Sequence, residues 1–204
     1  MSEIVSTPEV YFRQFTPSRE EVLQELEAEA RLENIPIAGP IVGELLSILV
    51  QSTQALHILE LGTATGYSAI YLSEACNRLG CRLITVEKDP AMANRAQATF
   101  ERLGLSRRIE LREGDAMEIM ARMGGPYDLI FMDIEKEDYI RALPHCKRLL
   151  RKGGLLIVDN VAFENADPFN RAISESPSWR AVNLFSFLPL HSPEYDAICF
   201  ALRV

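Results

Sequence analysis

The chain has 204 residues, of which 48% are hydrophobic and 25% charged, and its formal net charge is −8. This length accommodates one α/β domain with a sizeable core and is short for two domains. The acidic balance argues against general binding to nucleic-acid phosphates, and the apolar runs are too short to span a bilayer, so we expect neither a nucleic-acid nor a membrane partner.

The first 51 residues precede the main pattern of the chain and are predicted to form an arm and two flanking helices. Residues 1–17 are mixed in character and contain two prolines, which is typical of a loose arm. Ser18 and Glu21 have the spacing of a capping box, which predicts the start of the first helix. The second helix is predicted through Leu45 and Leu49. Both helices are expected to flank the sheet or to cover it as a lid.

The four cysteines have neither a CxxC spacing nor the pattern of a disulfide framework; they are Cys76, Cys81, Cys146 and Cys199. Their apolar surroundings predict buried, reduced thiols. The N-terminus has no basic segment followed by an apolar run, so we expect no signal peptide. These observations together predict a cytoplasmic protein.

From residue 56 onward, short apolar stretches alternate with amphipathic ones, which predicts strands separated by helices. The strands are predicted at residues 56–61, 82–87, 108–112, 127–133 and 154–159. The helices are predicted at residues 67–79, 90–103, 115–122 and 137–150. This order predicts a parallel, doubly wound α/β sheet that is covered on both faces, with the carboxyl ends of its strands at one edge.

The last part of the chain has a different pattern. Residues 179–188 and 195–204 are two predicted strands, and the connection between them is too short for a helical crossover. They are therefore expected to form an antiparallel hairpin. Because no internal repeat or linker is present, residues 1–204 are expected to form a single domain, in which residues 56–204 build the sheet.

The turn after the first predicted strand has the pattern of a nucleotide-type cofactor site. The sequence ILELGTATGYS at residues 58–68 runs from the strand through two glycines into a helix. Such a turn exposes backbone N–H groups at the start of a helix, where a ligand can approach closely. A dinucleotide site would carry a further glycine between Gly62 and Gly66 to admit a pyrophosphate, so a cofactor without a pyrophosphate fits better. A tight turn with no ligand is the alternative.

Acidic residues follow the next two strands. Glu87, at the tip of the second strand, is either a solvated charge or an acceptor for the two ribose hydroxyls of a cofactor. Asp89 precedes Pro90 and is predicted to cap the following helix, which leaves Glu87 free for the ribose. Gly114 allows close approach after the third strand. Asp115 is predicted either to accept from an adenine amino group or only to cap the next helix.

These stretches together resemble an S-adenosylmethionine-dependent O-methyltransferase. The resemblance rests on ILELGTATGYS, on VEKDP at residues 86–90, on GDA at residues 114–116 and on FMDIEKEDY at residues 131–139. The sequence GGLLIVDNV at residues 153–161 is similar to the metal-dependent catechol and caffeoyl-CoA O-methyltransferase family. The resemblance implies a Rossmann-like methyltransferase fold, mostly parallel and ending in an antiparallel hairpin, with N-terminal helices. It also implies a homodimer.

The resemblance implies S-adenosylmethionine as the cofactor. The residues implied to bind it are Glu60, Gly62, Thr63, Gly66, Tyr67, Ser68, Glu87, Gly114, Asp115, Ala116 and Asp133.

The resemblance further implies that Asp133, Asp159 and Asn160 ligate one divalent cation. All three follow the fourth and fifth strands, whose carboxyl ends should be neighbours. Two carboxylates and an amide oxygen suit Mg²⁺, and also Mn²⁺ or Ca²⁺. The alternative is that Asp133 only orients the cofactor, while Asp159 and Asn160 only form a turn.

The implied reaction is methyl transfer to a hydroxyl of a small, catechol-like vicinal diol. The cation would chelate both oxygens of the diol beside Asp133, and Lys136 would take the proton. The chain departs from the family after Asn160, because Phe163 stands where relatives commonly have Trp and the segment that follows is shorter than usual. The identity of the acceptor therefore stays open.

Two other functions fit parts of the sequence. One is an NAD-dependent oxidoreductase on a Rossmann-like sheet, against which the missing glycine counts. The other is a non-catalytic protein that binds the cofactor. The histidines form no ligand pair at helical spacing, and His191 is expected to be an exposed loop residue.

Overall fold

The computed structural model describes residues 4–204, except for the side chains of residues 77–79. The strands in this part of the chain are β1 His57–Leu61, β2 Arg82–Glu87, β3 Ile109–Glu113, β4 Tyr127–Met132, β5 Leu150–Val158, β6 Trp179–Phe187 and β7 Tyr195–Arg203. The helices are α1 Pro8–Arg13, α2 Glu21–Glu33, α3 Gly39–Thr53, α4 Tyr67–Leu79, α5 Pro90–Arg102, α6 Ala116–Arg122, α7 Tyr139–Leu149 and α8 Asp167–Glu175.

The seven described strands form one sheet in the order β3-β2-β1-β4-β5-β7-β6. The first five strands in this chain are parallel, whereas β7 runs antiparallel to both β5 and β6. The predicted Rossmann-like sheet and its terminal hairpin are therefore confirmed. The strand order reverses between β1 and β4, and ligands of open α/β sheets bind at such a reversal, beyond the carboxyl ends of the strands.

Helices cover both faces of the sheet because successive strand residues point to opposite sides. Ile58 packs into an apolar cluster with α3, α4 and α5. Its neighbour Leu59 packs into a second cluster with α6, α7 and α8. The central strands are thus buried on both sides, which fixes their tips and the loops that follow them.

The N-terminal region differs from the predicted loose arm. Residues 8–13 form the short helix α1, while residues 1–3 lie outside the described part of the chain. The capping box is wrong, because α2 begins at Glu21 after Glu20 and has no side-chain cap. Arg19 turns instead to Glu27, with its Nε 2.9 Å from the carboxylate. Helix α2 is also tied to α5 by Arg95, whose guanidinium lies 2.7 Å from Glu33.

Two further features were not predicted. Helix α8 occupies part of the segment after the fifth strand, where only Phe169 and Ile173 are buried on one side of nine residues. The prediction of reduced thiols is wrong for two cysteines, since Cys76 and Cys81 form a disulfide between the end of α4 and the start of β2. Cys146 and Cys199 are free and buried, as expected.

Among the described residues, no helix combines the length and apolar character that crossing a bilayer requires.

The packing of α3 on α4 leaves no room for a side chain at Gly43. A Cβ there would overlap the ring of Tyr71, whereas a Cβ at Gly124 would meet nothing within 4 Å. We expect Gly43→Ala to lower the free energy of unfolding by about 1–3 kcal/mol despite the helix propensity of alanine. Urea denaturation at neutral pH measures this. Gly124→Ala is the control, and a Gly43→Ala protein as stable as the control would contradict the prediction.

Candidate active site

The glycine turn lies where β1 meets β4. Gly62 has a φ of +96°, and a Cβ at this position would collide with the backbone carbonyl of Asp133. The Asp133 amide donates to the Leu61 carbonyl at 2.8 Å, and the Gly62 amide donates to the Val86 carbonyl at 3.0 Å. Only glycine therefore fits the point at which the tips of β1, β2 and β4 come together.

Glu60 lies under the turn and is fully buried. Its Oε2 accepts from the Thr85 hydroxyl at 2.5 Å, and Thr85 also bonds Thr63 at 2.5 Å. Its Oε1 has no hydrogen-bond partner in the described residues. Burial raises the pKa of Glu60 to about 7, although hydrogen bonds from Thr85 and Ser68 counteract part of this effect.

Glu87 is held by backbone amides. One carboxylate oxygen accepts from Ala64 at 2.7 Å and the other from Asp89 at 2.8 Å. The sequence analysis expected Glu87 to be free for a ribose. Its carboxylate instead bridges the glycine turn and the start of α5. Each oxygen keeps acceptor capacity for a further donor. Asp89 caps α5 as predicted, accepting from the amide of Ala91 at 2.7 Å.

The tip of β3 completes one side of the site. The Gly114 amide donates to the Glu87 carbonyl at 2.8 Å, which places the two strand tips side by side. Asp115 caps α6, accepting from the Glu118 amide at 3.0 Å. The capping interpretation is thus confirmed, and the exposed carboxylate still faces the cavity described next.

A cavity of about 420 Å³ lies over these tips. The predicted site residues that line it are Gly62, Glu87, Gly114, Asp115, Ala116, Asp133 and Lys136. Its opposite wall includes residues 34–36, from the loop after α2. Other predicted residues lie beneath the turn instead: Thr63 and Ser68 are buried, and Tyr67 points to α2, where its hydroxyl donates to Glu27 at 2.8 Å. Gly66, with a φ of +92°, begins α4.

Asp133 and Lys136 form a pair on the floor of this cavity. Lys136 Nζ donates to Asp133 Oδ1 at 3.2 Å and to the Ile134 carbonyl at 3.3 Å. It also lies 5.8 Å from the ring centroid of Phe163. Burial and the negative charge of Asp159 raise the pKa of Asp133 to about 6, while Lys136 opposes the rise.

Asp159 and Asn160 follow β5 and are both buried. The Asp159 carboxylate accepts from the backbone N–H of Asn160 at 2.9 Å. Asn160 has a φ of +51°, and its Nδ2 donates to Asp196 at 2.6 Å. An ionised Asp196 carboxylate can only accept hydrogen bonds, so it fixes the orientation of the Asn160 side-chain amide. The Oδ1 of Asn160 therefore points away from Asp196. Asp196 is fully buried and was missed by the sequence analysis, since it lies on β7 far along the chain.

His191 is buried, and the expectation of an exposed loop residue is wrong. Its Nε2 lies 3.0 Å from both carboxylate oxygens of Asp159, and its Nδ1 lies 2.6 Å from the Pro193 carbonyl. Burial lowers the pKa of His191, but the Asp159 carboxylate more than offsets this and brings the pKa to about 9. Nothing in the local sequence indicates this contact, because the partner is 32 residues away.

A second cavity, of about 470 Å³, lies on the other side of residues 34–36. It is lined by the end of α2 and by the loop between β6 and β7, including His191, Glu194, Glu27 and Arg31. Both acids already have partners, since Glu194 pairs with Arg13 and Glu27 with Arg19. His191 thus connects this second cavity to Asp159.

Carboxylate and amide oxygens, which Asp133, Asp159 and Asn160 carry, are the donor types that hard cations take. In residues 4–204, no group of three or more His, Cys, Asp or Glu side chains is arranged to hold a metal ion. The candidate set has two carboxylates, and its third donor is an amide. Within the described residues, Asp133 Oδ2 and Asn160 Oδ1 accept no hydrogen bond, and Asp159 Oδ2 accepts only from His191.

Known proteins are similar to this chain in sequence and in fold. The profile of a family described as O-methyltransferase matches residues 16–170. The catechol O-methyltransferase of Niastella koreensis is 41% identical over 138 residues, which cover 66% of this chain and 62% of the relative. The chain therefore spans less than two thirds of the length of that curated relative.

Two solved structures share nearly the whole fold. The O-methyltransferase TomG of Streptomyces achromogenes, involved in tomaymycin synthesis and in complex with SAM, has a TM-score of 0.85 at 25% identity over 97% of this chain and 96% of that one. The O-methyltransferase of Bacillus cereus, in complex with SAH, has a TM-score of 0.83 at 27% identity over 97% of each chain.

The raised pKa of Glu60 predicts a pH-dependent stability. Because the folded protein favours the protonated carboxyl, the contribution of Glu60 to the free energy of unfolding is greatest below pH 4.5 and falls as the pH rises to about 7. Relative to Glu60→Gln, the wild type should lose up to about 3 kcal/mol between pH 5 and pH 8. Urea denaturation across this range measures the difference. Glu113→Gln, at an exposed carboxylate, keeps Glu60 and should lose stability over this range as the wild type does. A difference between the wild type and Glu60→Gln that does not change with pH would contradict the prediction.

Proposed function

The chain belongs to the O-methyltransferase family, and we propose that it transfers a methyl group from S-adenosylmethionine to a hydroxyl of a small, catechol-like vicinal diol with help from a divalent cation. The observation that carries the proposal is the meeting of the glycine turn, the Asp133–Lys136 pair and the Asp159–Asn160 pair at one edge of the sheet.

The 420 Å³ cavity is the proposed cofactor site. Solved relatives of the same fold hold SAM and SAH. The cavity in this chain has the chemistry that an adenosyl cofactor requires: glycines at two strand tips permit close approach, and Glu87 keeps acceptor capacity for ribose hydroxyls. Asp115 is the proposed acceptor for the adenine amino group. The residues beneath the turn are proposed to support it: Glu60, Thr63, Gly66, Tyr67 and Ser68.

Asp133, Asp159 and Asn160 are the proposed ligands of one divalent cation, with Mg²⁺ favoured over Mn²⁺ and Ca²⁺. The support is the chemistry of the donors. Asp133 Oδ2 and Asn160 Oδ1 accept no hydrogen bond from the described residues, while Lys136 and Asp196 hold the other polar atoms of these two side chains. Both oxygens of Asp159 face the His191 ring and keep acceptor capacity for a cation. The proximity of two carboxylates that raises the pKa of Asp133 also favours a positive ion between them.

The chain's own groups support the transfer as follows. A bound cation would supply the positive charge that lowers the pKa of the acceptor hydroxyl. Lys136 is the proposed base, whose neutral amine would take the hydroxyl proton, and Asp133 holds its Nζ 3.2 Å away. The cofactor would supply the methyl group: the hydroxyl oxygen would bond to the methyl carbon, and the sulfur would keep the electron pair of the broken carbon–sulfur bond. Holding both reactants in adjoining cavities removes much of the entropic barrier.

The 470 Å³ cavity is the proposed acceptor site. It shares residues 34–36 with the cofactor cavity, and His191 joins it to Asp159. The NAD-dependent alternative is not supported, because the family and the fold relatives are methyltransferases. A non-catalytic role is also not supported, since the proposed base Lys136 and the proposed cation ligands Asp133, Asp159 and Asn160 are all present.

We also propose a single methyltransferase domain that forms a homodimer in the cytoplasm, with no nucleic-acid or membrane partner. The edge strand β6 supports dimerisation, because an unpaired edge with exposed apolar side chains favours association. Val182, Leu184 and Phe185 are each more than half exposed on this strand.

The Cys76–Cys81 disulfide weighs against a reducing compartment, and fractionation of the cells would test the location.

The central test is methyl transfer to a panel of catechols with and without Mg²⁺. We expect the wild type to require the cation, and Asp133→Ala to lose at least about 100-fold in kcat/KM, because it removes both a ligand and the partner of Lys136. S-adenosylhomocysteine binding, measured by calorimetry, should change little. Glu137→Ala, at an exposed acid nearby, is the control. Full activity of Asp133→Ala in excess chelator would overturn the cation mechanism.

The dimer has a separate test in solution. Phe185→Asp places a charge on the edge strand and should convert the dimer to a monomer, as measured by light scattering after gel filtration. Leu32→Asp is the matched control, because Leu32 is 83% exposed on α2, away from β6. A monomeric wild type, or a Phe185→Asp protein that stays dimeric, would contradict this arrangement.

A further inference from the structure

A second charged cavity lies at the amino-terminal edge of the sheet, opposite the proposed active site. It has a volume of about 730 Å³ and is lined by the start of β1, β2, β3 and β4 and by the loop before β4. Its apolar lining includes the partly exposed Ile84 and the exposed Pro126. Its charged rim contains Arg82, Arg107 and Arg108, in a chain whose net charge is −8.

The strand register brings two of these arginines together. Leu83 pairs with Ile109 in the parallel ladder of β2 and β3, and the Leu83 amide donates to the Arg108 carbonyl at 3.0 Å. Arg82 and Arg108 therefore precede paired positions on adjacent strands, which lie about 4.8 Å apart. Arg107 adjoins them in the turn before β3.

The positive charge at this rim is not neutralised by the protein. In residues 4–204, and leaving aside the side chains of residues 77–79, the three arginines have no hydrogen bond or ion pair from their guanidinium groups. The nearby acids are already engaged. Glu110 binds Arg112 at 2.7 Å, and Asp128 binds Arg151 at 2.6 Å and the amides at the start of β1.

We propose that this cavity binds a small molecule carrying two or more adjacent phosphate groups. Three arginines without an ion-pair partner line one cavity, and an anion with adjacent charges can interact with more of them than a single carboxylate can. Guanidinium groups match phosphate oxygens in bidentate geometry. The volume lies within the range of small-molecule sites, and the apolar surface of Ile84 and Pro126 can contact an attached organic group. The site is separate from the proposed transfer reaction and does not rest on it.

Calorimetric titration with pyrophosphate tests the site directly. Chelator is present to keep metal ions out of the phosphate, and saturating S-adenosylhomocysteine fills the cofactor cavity. We expect one saturable site per chain, weakened at least about tenfold in Arg82→Gln/Arg108→Gln. Parallel titrations with ADP and with adenosine separate an inorganic from a nucleotide ligand: tighter ADP binding assigns a role to the organic group, and adenosine alone should not bind.

The control removes the same charge elsewhere. Arg180→Gln/Lys147→Gln changes two exposed cations that do not line this cavity, and it should bind pyrophosphate like the wild type. Thermal unfolding verifies that both double variants fold. The proposal is overturned by a wild type that shows no saturable binding, by equal weakening in the control, or by citrate binding as tightly as pyrophosphate, which would indicate general anion attraction.

Discussion

The contact between the Gly62 turn and the backbone of Asp133 is the constraint on which the site depends. Here β1 and β4 approach so closely that no Cβ fits, and a hydrogen bond from the Asp133 amide to Leu61 keeps them together. This contact places the cofactor turn against the first proposed cation ligand. A larger residue at position 62 would separate the two halves of the site, even if every polar side chain remained.

Charge is the second feature that organises the site, because several buried or partly buried carboxylates lie at the carboxyl edge of the sheet. Glu60, Asp159 and Asp196 are fully buried near the carboxyl edge, whereas Asp133 is partly exposed, and each carboxylate has different partners. Asp159 has the His191 ring, Asp133 has Lys136, and Asp196 receives amide donors. Glu60 is fully buried, its Oε1 has no hydrogen-bond partner among the described residues, and its pKa is raised to about 7. Burial without full compensation stores electrostatic free energy at the site.

Much of the fold could be predicted because its signals are local. The predicted bounds of α4 and β2 agree with the structure, and the short connection before β7 correctly indicated an antiparallel hairpin. Helix α8 was missed although Phe169 and Ile173 have helical spacing, because the helix has only nine residues. Strand β5 begins at Leu150, directly after α7, because Leu150 pairs with Tyr127 across the sheet, a contact that the local pattern does not reveal.

The candidate site was predictable to a similar degree. Residues on strand tips could be assigned because parallel strands bring their carboxyl ends together. Asp196 and His191 could not, because their contacts with Asn160 and Asp159 join segments more than thirty residues apart. The Cys76–Cys81 bond was missed for another reason: a spacing of five residues is not typical of a disulfide framework, and only the turn between α4 and β2 brings the sulfurs together.

The loop at residues 34–36 is a wall common to the cofactor cavity and the proposed acceptor cavity. Helix α2, which leads into it, is held to α5 through Arg95 and to α4 through the Glu27–Tyr67 hydrogen bond. A displacement of this wall by one ligand changes the room left for the other. Ligands in the two cavities would then be thermodynamically linked, and each would alter the dissociation constant of the other by the same factor.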